Sequence, residues 1–74
     1  MAKSRSKVSN RVRELRFATG EMTQQALASQ IGVARQTIIA IEQGKFCPTL
    51  ESALRIAEVF EVPVDDVFSL DKDL

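Results

Sequence analysis

Arg35, Gln36, Ile39 and Ala40 are the residues of this sequence whose types and spacing are best suited to chemistry. An arginine forks to guanine O6 and N7, a glutamine pairs with adenine N6 and N7, and an isoleucine or alanine touches a thymine methyl. Set along one outward helical face, the four would read base edges in DNA. The spacing supports such a face, because Ile38 and Ile41 fall three residues apart and turn inward together, which leaves Arg35, Gln36, Ile39, Ala40 and Gln43 outward. Ile39 is the informative member, since the hydrophobic effect alone would not leave it on that side. Covering a neighbouring helix is the plainer use of Ile39, and both readings stand at this point.

That face has to be held by the stretch QQALASQIGVARQTIIAIEQ, residues 24–43, which reads as two short helices joined by a tight turn. Leu27, Ile31, Val33, Ile38 and Ile41 recur at helical steps with one break at Gly32. Ala28 sits where the helices would cross, and Gly32 suits the positive φ of a sharp turn after a helix end. Two helices joined in this way form a helix-turn-helix, whose second helix enters the major groove. The spacing puts this second helix, the third of the chain, at about residues 34–43, with Gly44 as its cap. Thr23 caps the helix before it, and Gln24 at its first position and Lys45 beyond Gly44 are placed for backbone phosphates. Thr23, Thr37 and Gln43 complete the expected phosphate contacts.

The segment TQQALASQIGVARQTIIAIEQGK resembles the helix-turn-helix of the lambda-repressor/Cro-like (Xre) family of bacterial and phage regulators. The similarity continues through RVRELR before it and PTLESALRIAEVFEVPVDDVF after it, so it spans roughly residues 10–68. The resemblance implies an all-α, compact five-helix domain in which helices 2 and 3 form the motif. It also implies a partly buried ion pair between Arg16 and Glu42, whose positions match the family's Arg–Glu pair. Two departures stand out. Ala34 replaces the hydroxyl residue common at the start of the recognition helix, and the turn before helix 2 is one residue longer than usual.

The remaining elements follow from local signals. Ser9 or Asn10 is the expected N-cap of helix 1, with Val12 and Leu15 inward and Gly20 at its end. Thr49 caps helix 4, whose inward residues are expected to be Leu50, Ala53, Leu54, Ala57 and Phe60. Val62-Pro63 interrupts that helix, and Pro63 starts a short fifth helix carrying Asp65 and Asp66 in its first turn. The expected division is a basic arm over 1–8, the DNA-binding domain over 9–70 and a short acidic tail over 71–74. Val64, Val67, Phe68 and Leu70 are more apolar than a free end of so small a domain should be, and they are the expected homodimer surface. The resemblance agrees, since related members dimerise through the segment after the recognition helix.

At 74 residues there is room for one domain. Net charge is zero, but the charges are segregated: residues 1–16 hold six cations against one carboxylate, and residues 51–74 hold two against seven. The basic start could meet phosphates while the acidic end faces away. No run approaches the roughly 20 apolar residues of a membrane span, and the charged start has no apolar stretch behind it as a secretory signal would. The single Cys47 has no internal partner, which fits a reducing cytoplasm. Without His, a second thiol or a glycine-rich phosphate loop, neither zinc, cofactor nor catalytic chemistry is expected. The expected partners are double-stranded DNA with two half-sites and a second copy of the chain, with no membrane and no small-molecule effector. The main reading is a transcriptional regulator, a repressor. The other is an antitoxin that uses the same fold to bind both a toxin and its own promoter.

Overall fold

A computed structural model describes residues 8–70, so the expected acidic tail and all but the last residue of the basic arm lie outside the described residues. Five helices follow in order: α1 (Val12–Ala18), α2 (Gln24–Ile31), α3 (Arg35–Glu42), α4 (Leu50–Phe60) and α5 (Val64–Val67). Two three-residue strands, β1 (Val8–Asn10) and β2 (Phe68–Leu70), pair antiparallel and close the ends of the domain together. This pairing adds a small strand pair to an otherwise all-α fold. Val8, which the sequence assigns to the arm, faces Leu70 across it.

Helix starts follow from side-chain chemistry. Thr23 Oγ1 accepts from the Ala26 amide at 2.9 Å, and Thr49 Oγ1 accepts from the Ser52 amide at 3.1 Å, so α2 and α4 each have one first-turn donor satisfied. For α1 the cap position falls on Arg11 and carries no side-chain cap bond. Asn10 supplies the oxygen from one residue earlier: its Oδ1 accepts from the Val12 amide at 3.1 Å while its Nδ2 donates to the Ile41 carbonyl at 2.9 Å. One asparagine therefore starts α1 and ties it to the end of α3.

The turn before α2 contains two successive left-handed residues, Gly20 (φ +64) and Glu21 (φ +55). Glycine takes that conformation freely, whereas Glu21 takes it against its Cβ. The turn is fixed by the Met22 amide, which donates to the Arg16 carbonyl at 2.9 Å.

The core joins all five helices through Val12, Leu27, Ile38, Ile41, Ile56 and Val67, each almost wholly buried. Ala28 of α2 is fully buried in the same core. In α4 the buried residues are Ala53, Ile56, Ala57 and Phe60, whereas Leu50 and Leu54 are 73% and 49% exposed. This corrects the inward set read from the sequence. Two overlapping apolar stripes were possible, and packing chose the one containing Ile56, which turns Leu50 and Leu54 toward solvent. Within the described residues no helix is long and apolar enough to cross a membrane.

Candidate nucleic-acid interface

The motif is built by α2, a three-residue turn and α3. Gly32 ends α2 at φ +78, and both its amide and that of Val33 donate to the Ala28 carbonyl, at 2.9 and 3.0 Å. This double cap reverses the chain within a few residues, a geometry a side-chain-bearing residue would strain. Ala34 follows in extended conformation as the cap of α3 and offers no side-chain acceptor, as its missing hydroxyl dictates.

Successive residues of a helix are rotated by about 100°, which fixes the outward face of α3 once Ile38 and Ile41 are buried. Gln36 and Gln43 lie opposite those two residues and are exposed. Ile39 and Ala40, both half-buried, flank them on either side, and Arg35 stands exposed one turn before Ile39. Ile39 is thus one edge of the outward face, bordering a groove.

Arg16 is the one buried charged residue among the described residues, and it holds that edge in place. Its Nε and Nη2 donate to Glu42 Oε2 and Oε1 at 2.6 and 3.1 Å, and its Nη1 donates to the Met22 carbonyl at 2.7 Å. Gln24 Nε2 adds a third bond to the same carboxylate, at 3.2 Å. The two charged side chains are only 7% and 8% exposed. Four chain positions, on α1, the turn after it, the start of α2 and the end of α3, are locked through one fork-to-carboxylate pair. The network also places one N–H of Gln24, an expected phosphate contact, on Glu42, leaving the second amide hydrogen for other partners.

Between α1 and the motif lies an open groove of about 560 Å³. From the motif it is lined by Thr23, Gln24, Gln25, Arg35, Ile39, Glu42 and Gln43, and from α1 by Arg13, Arg16 and Phe17. Arg13 and Phe17 were given no site role by the sequence reading. Phe17 is 51% exposed, with the Arg13 and Arg16 guanidinium carbons 5.3 and 5.2 Å from its ring centroid. The signal was present, because Arg13 and Phe17 are four residues apart and share one face of α1. Gln36, Thr37, Ala40 and Lys45 do not line this groove; Lys45 is exposed just beyond Gly44, and Thr37 is half-buried.

Among the described residues, the other arginines of known partnership are committed elsewhere. Arg11 forks onto Glu14 at 3.2 and 3.1 Å, and that hydrogen-bonded pairing holds the Glu14 carboxyl below its ordinary range. Arg55 pairs with Glu51 at 2.8 Å on α4. Arg13, Arg35 and Lys45 make no ion pair among the described residues.

The residues expected to form a dimer surface separate. Val67 is buried in the chain's own core, so it leaves the set: a side chain that already packs against its own helices has no surface to offer a partner. Val64 and Phe68 are half-buried against the same core, and Leu70 is 70% exposed.

Comparison with known proteins agrees with this architecture. A helix-turn-helix family model matches residues 12–67. MJ0272 of Methanocaldococcus jannaschii, an uncharacterised HTH-type transcriptional regulator, is 48% identical over 56 residues, covering 76% of this chain and 85% of the relative. The cryptic phage CTXphi transcriptional repressor RstR of Vibrio cholerae is 33% identical over 61 residues, which are 82% of this chain and 54% of that repressor. The crystal structure of the restriction-modification controller protein C.AhdI of Aeromonas hydrophila matches with a TM-score of 0.69 at 30% identity, over 76% of this chain and 83% of the controller. With the helices, the tight turn and the outward face of α3 in place, these matches show that the chain belongs to the lambda-repressor/Cro-like (Xre) helix-turn-helix family of transcriptional regulators.

Proposed function

We propose that this chain is a repressor that binds operator DNA as a homodimer and reads the major groove with α3. The observation that carries the reading is the outward face of α3, where Gln36 and Gln43 are exposed, Arg35 has no acidic partner among the described residues, and Ile39 and Ala40 remain half-exposed. Arg35, Gln36, Ile39 and Ala40 contact base edges, while Thr23, Gln24, Thr37, Gln43 and Lys45 contact phosphates. Occupancy of DNA, rather than catalysis, is the mode of action. The similarity to a transcriptional repressor of a cryptic phage and to a restriction-modification controller protein supports a regulator of transcription.

One recognition helix per chain favours pairing of two copies on half-sites about 34 Å apart. With Val67 in the core, Val64, Phe68 and Leu70 form the pairing surface, centred on the exposed Leu70. Selection from a random duplex pool, followed by footprinting of the DNA upstream of the chain's own gene, tests the function. Two-fold-related half-sites one helical turn apart are the expected result. Binding with no sequence preference at physiological salt would overturn it.

A further inference from the structure

We propose that the α1 wall of the groove is a second DNA-contacting surface, in which Arg13 bonds a backbone phosphate and the Phe17 ring packs on the adjoining deoxyribose. The inference rests on the reading of α3 as the base-reading helix and extends its contacts to a helix outside the motif.

The chemistry of the groove selects its occupant. Arg13 on one wall and Arg35 on the other have no acidic partner among the described residues. The carboxylate that lines the groove, Glu42, is neutralised by Arg16 and hydrogen-bonded by Gln24. The groove is therefore cationic, with an apolar ring and Ile39 beside the charges. A simple anion would use the arginines and leave the ring wet. A sugar-phosphate strand presents a phosphate and an apolar sugar face side by side, and such a strand borders the major groove that α3 would occupy. The ring also positions Arg13: stacking at 5.3 Å narrows the range of a flexible side chain and keeps the guanidinium at the groove.

Shielding of the Arg16–Glu42 pair from water is the purely structural role for Phe17, and it makes no demand on Arg13. The two roles therefore part at Arg13→Ala, a substitution at an exposed position that leaves the pair intact. Binding to a selected duplex is measured by fluorescence anisotropy between about 50 and 200 mM salt for wild type, Arg13→Ala, Arg13→Lys and Arg55→Ala. One lost phosphate contact makes the slope of log K against log salt shallower by about 0.9, so the deficit of Arg13→Ala should shrink about 3.5-fold across that range. Arg13→Lys should keep the slope, and Arg55→Ala, which removes the same charge from α4, should match wild type. Phe17→Ala should weaken binding to specific and random duplexes alike with little change in slope. A wild-type slope for Arg13→Ala, or an equal loss for Arg55→Ala, overturns the α1 contact while leaving the α3 reading intact. Absence of salt-dependent binding by the wild type would overturn both.

Discussion

The Arg16–Glu42 pair offers the sharpest test of how the recognition helix is held. Replacing Arg16 with methionine preserves much of the side-chain volume but leaves Glu42 at 8% side-chain exposure with Gln24 as its remaining partner. It also strips the Met22 carbonyl of its 2.7 Å donor. Breaking a buried pair from one side costs about 3–5 kcal/mol, because an uncompensated charge stays out of water. The core of so small a domain supplies only about 3–5 kcal/mol net, so Arg16→Met should lie at the edge of unfolding at 25 °C. Replacing both partners, as Arg16→Met with Glu42→Leu, removes the stranded charge and should cost less than either single change. The coupling should reach at least about 3 kcal/mol, the upper end for residues in contact. Urea titrations followed by circular dichroism give the four corners of the cycle, with a stabilised background used if the single variants unfold. A coupling within about 0.5 kcal/mol of zero would refute the view that this pair, rather than general packing, fixes α3 to α1.

Arg35→Ala and Gln36→Ala should each cost about 1–3 kcal/mol on the preferred site and relax specificity there, whereas Lys45→Ala should weaken all duplexes alike; equal losses on specific and random DNA for Arg35→Ala would remove its base contact. Ala34→Ser supplies the acceptor that the start of α3 lacks and should stabilise the fold by about 1 kcal/mol, read as a higher urea midpoint with unchanged slope. Leu70→Glu should convert the proposed homodimer to a monomer in sedimentation while the monomer keeps its helical circular dichroism, since Leu70 is exposed within its own chain. Arg11 depresses the folded-state pKa of Glu14, so the stability from that pair is present above the unfolded carboxylate range and is lost as pH falls through the lower folded value. Arg11→Ala should return the Glu14 titration, followed by NMR, toward the ordinary range.

Much of the fold was legible because its punctuation is local. Thr23 and Thr49 are caps by their hydroxyls, Gly32 by its left-handed backbone, and Pro63 by its fixed φ, and each acts within three or four residues of itself. What could not be read depends on partners distant in sequence. Val8–Asn10 and Phe68–Leu70 are too short for a strand period to show, and each becomes a strand only because the other lies beside it. The phase of α4 had the same origin, because Leu50 and Leu54 fit one helical stripe as well as Ile56 fits another. Arg13 and Phe17 were missed for a different reason: a basic residue in a basic stretch and a lone aromatic acquire a role only when the groove beside α3 is assembled.

The absence of net charge, unusual for a DNA-binding chain, is resolved by which charges are already taken. Arg11, Arg16 and Arg55 are each matched by a carboxylate within 3.2 Å, so they contribute little field beyond their own pairs. Arg13, Arg35 and Lys45 are unmatched among the described residues, and they lie along the groove and at the end of α3. Asp65 and Asp66 sit in the first turn of α5, beyond the motif in sequence and outside the lining of the groove. At a Debye length near 8 Å in physiological salt, a phosphate approaching α3 responds to the unmatched cations nearest it rather than to the sum over the chain. Local pairing, not the total, sets the sign of the field at the groove. Reversing that pattern without touching α3 should therefore weaken binding more than Arg13→Ala does: Arg13→Glu puts a carboxylate on the wall opposite Arg35, and the formal change of two charges should make its deficit in fluorescence anisotropy larger and more salt-dependent than that of Arg13→Ala.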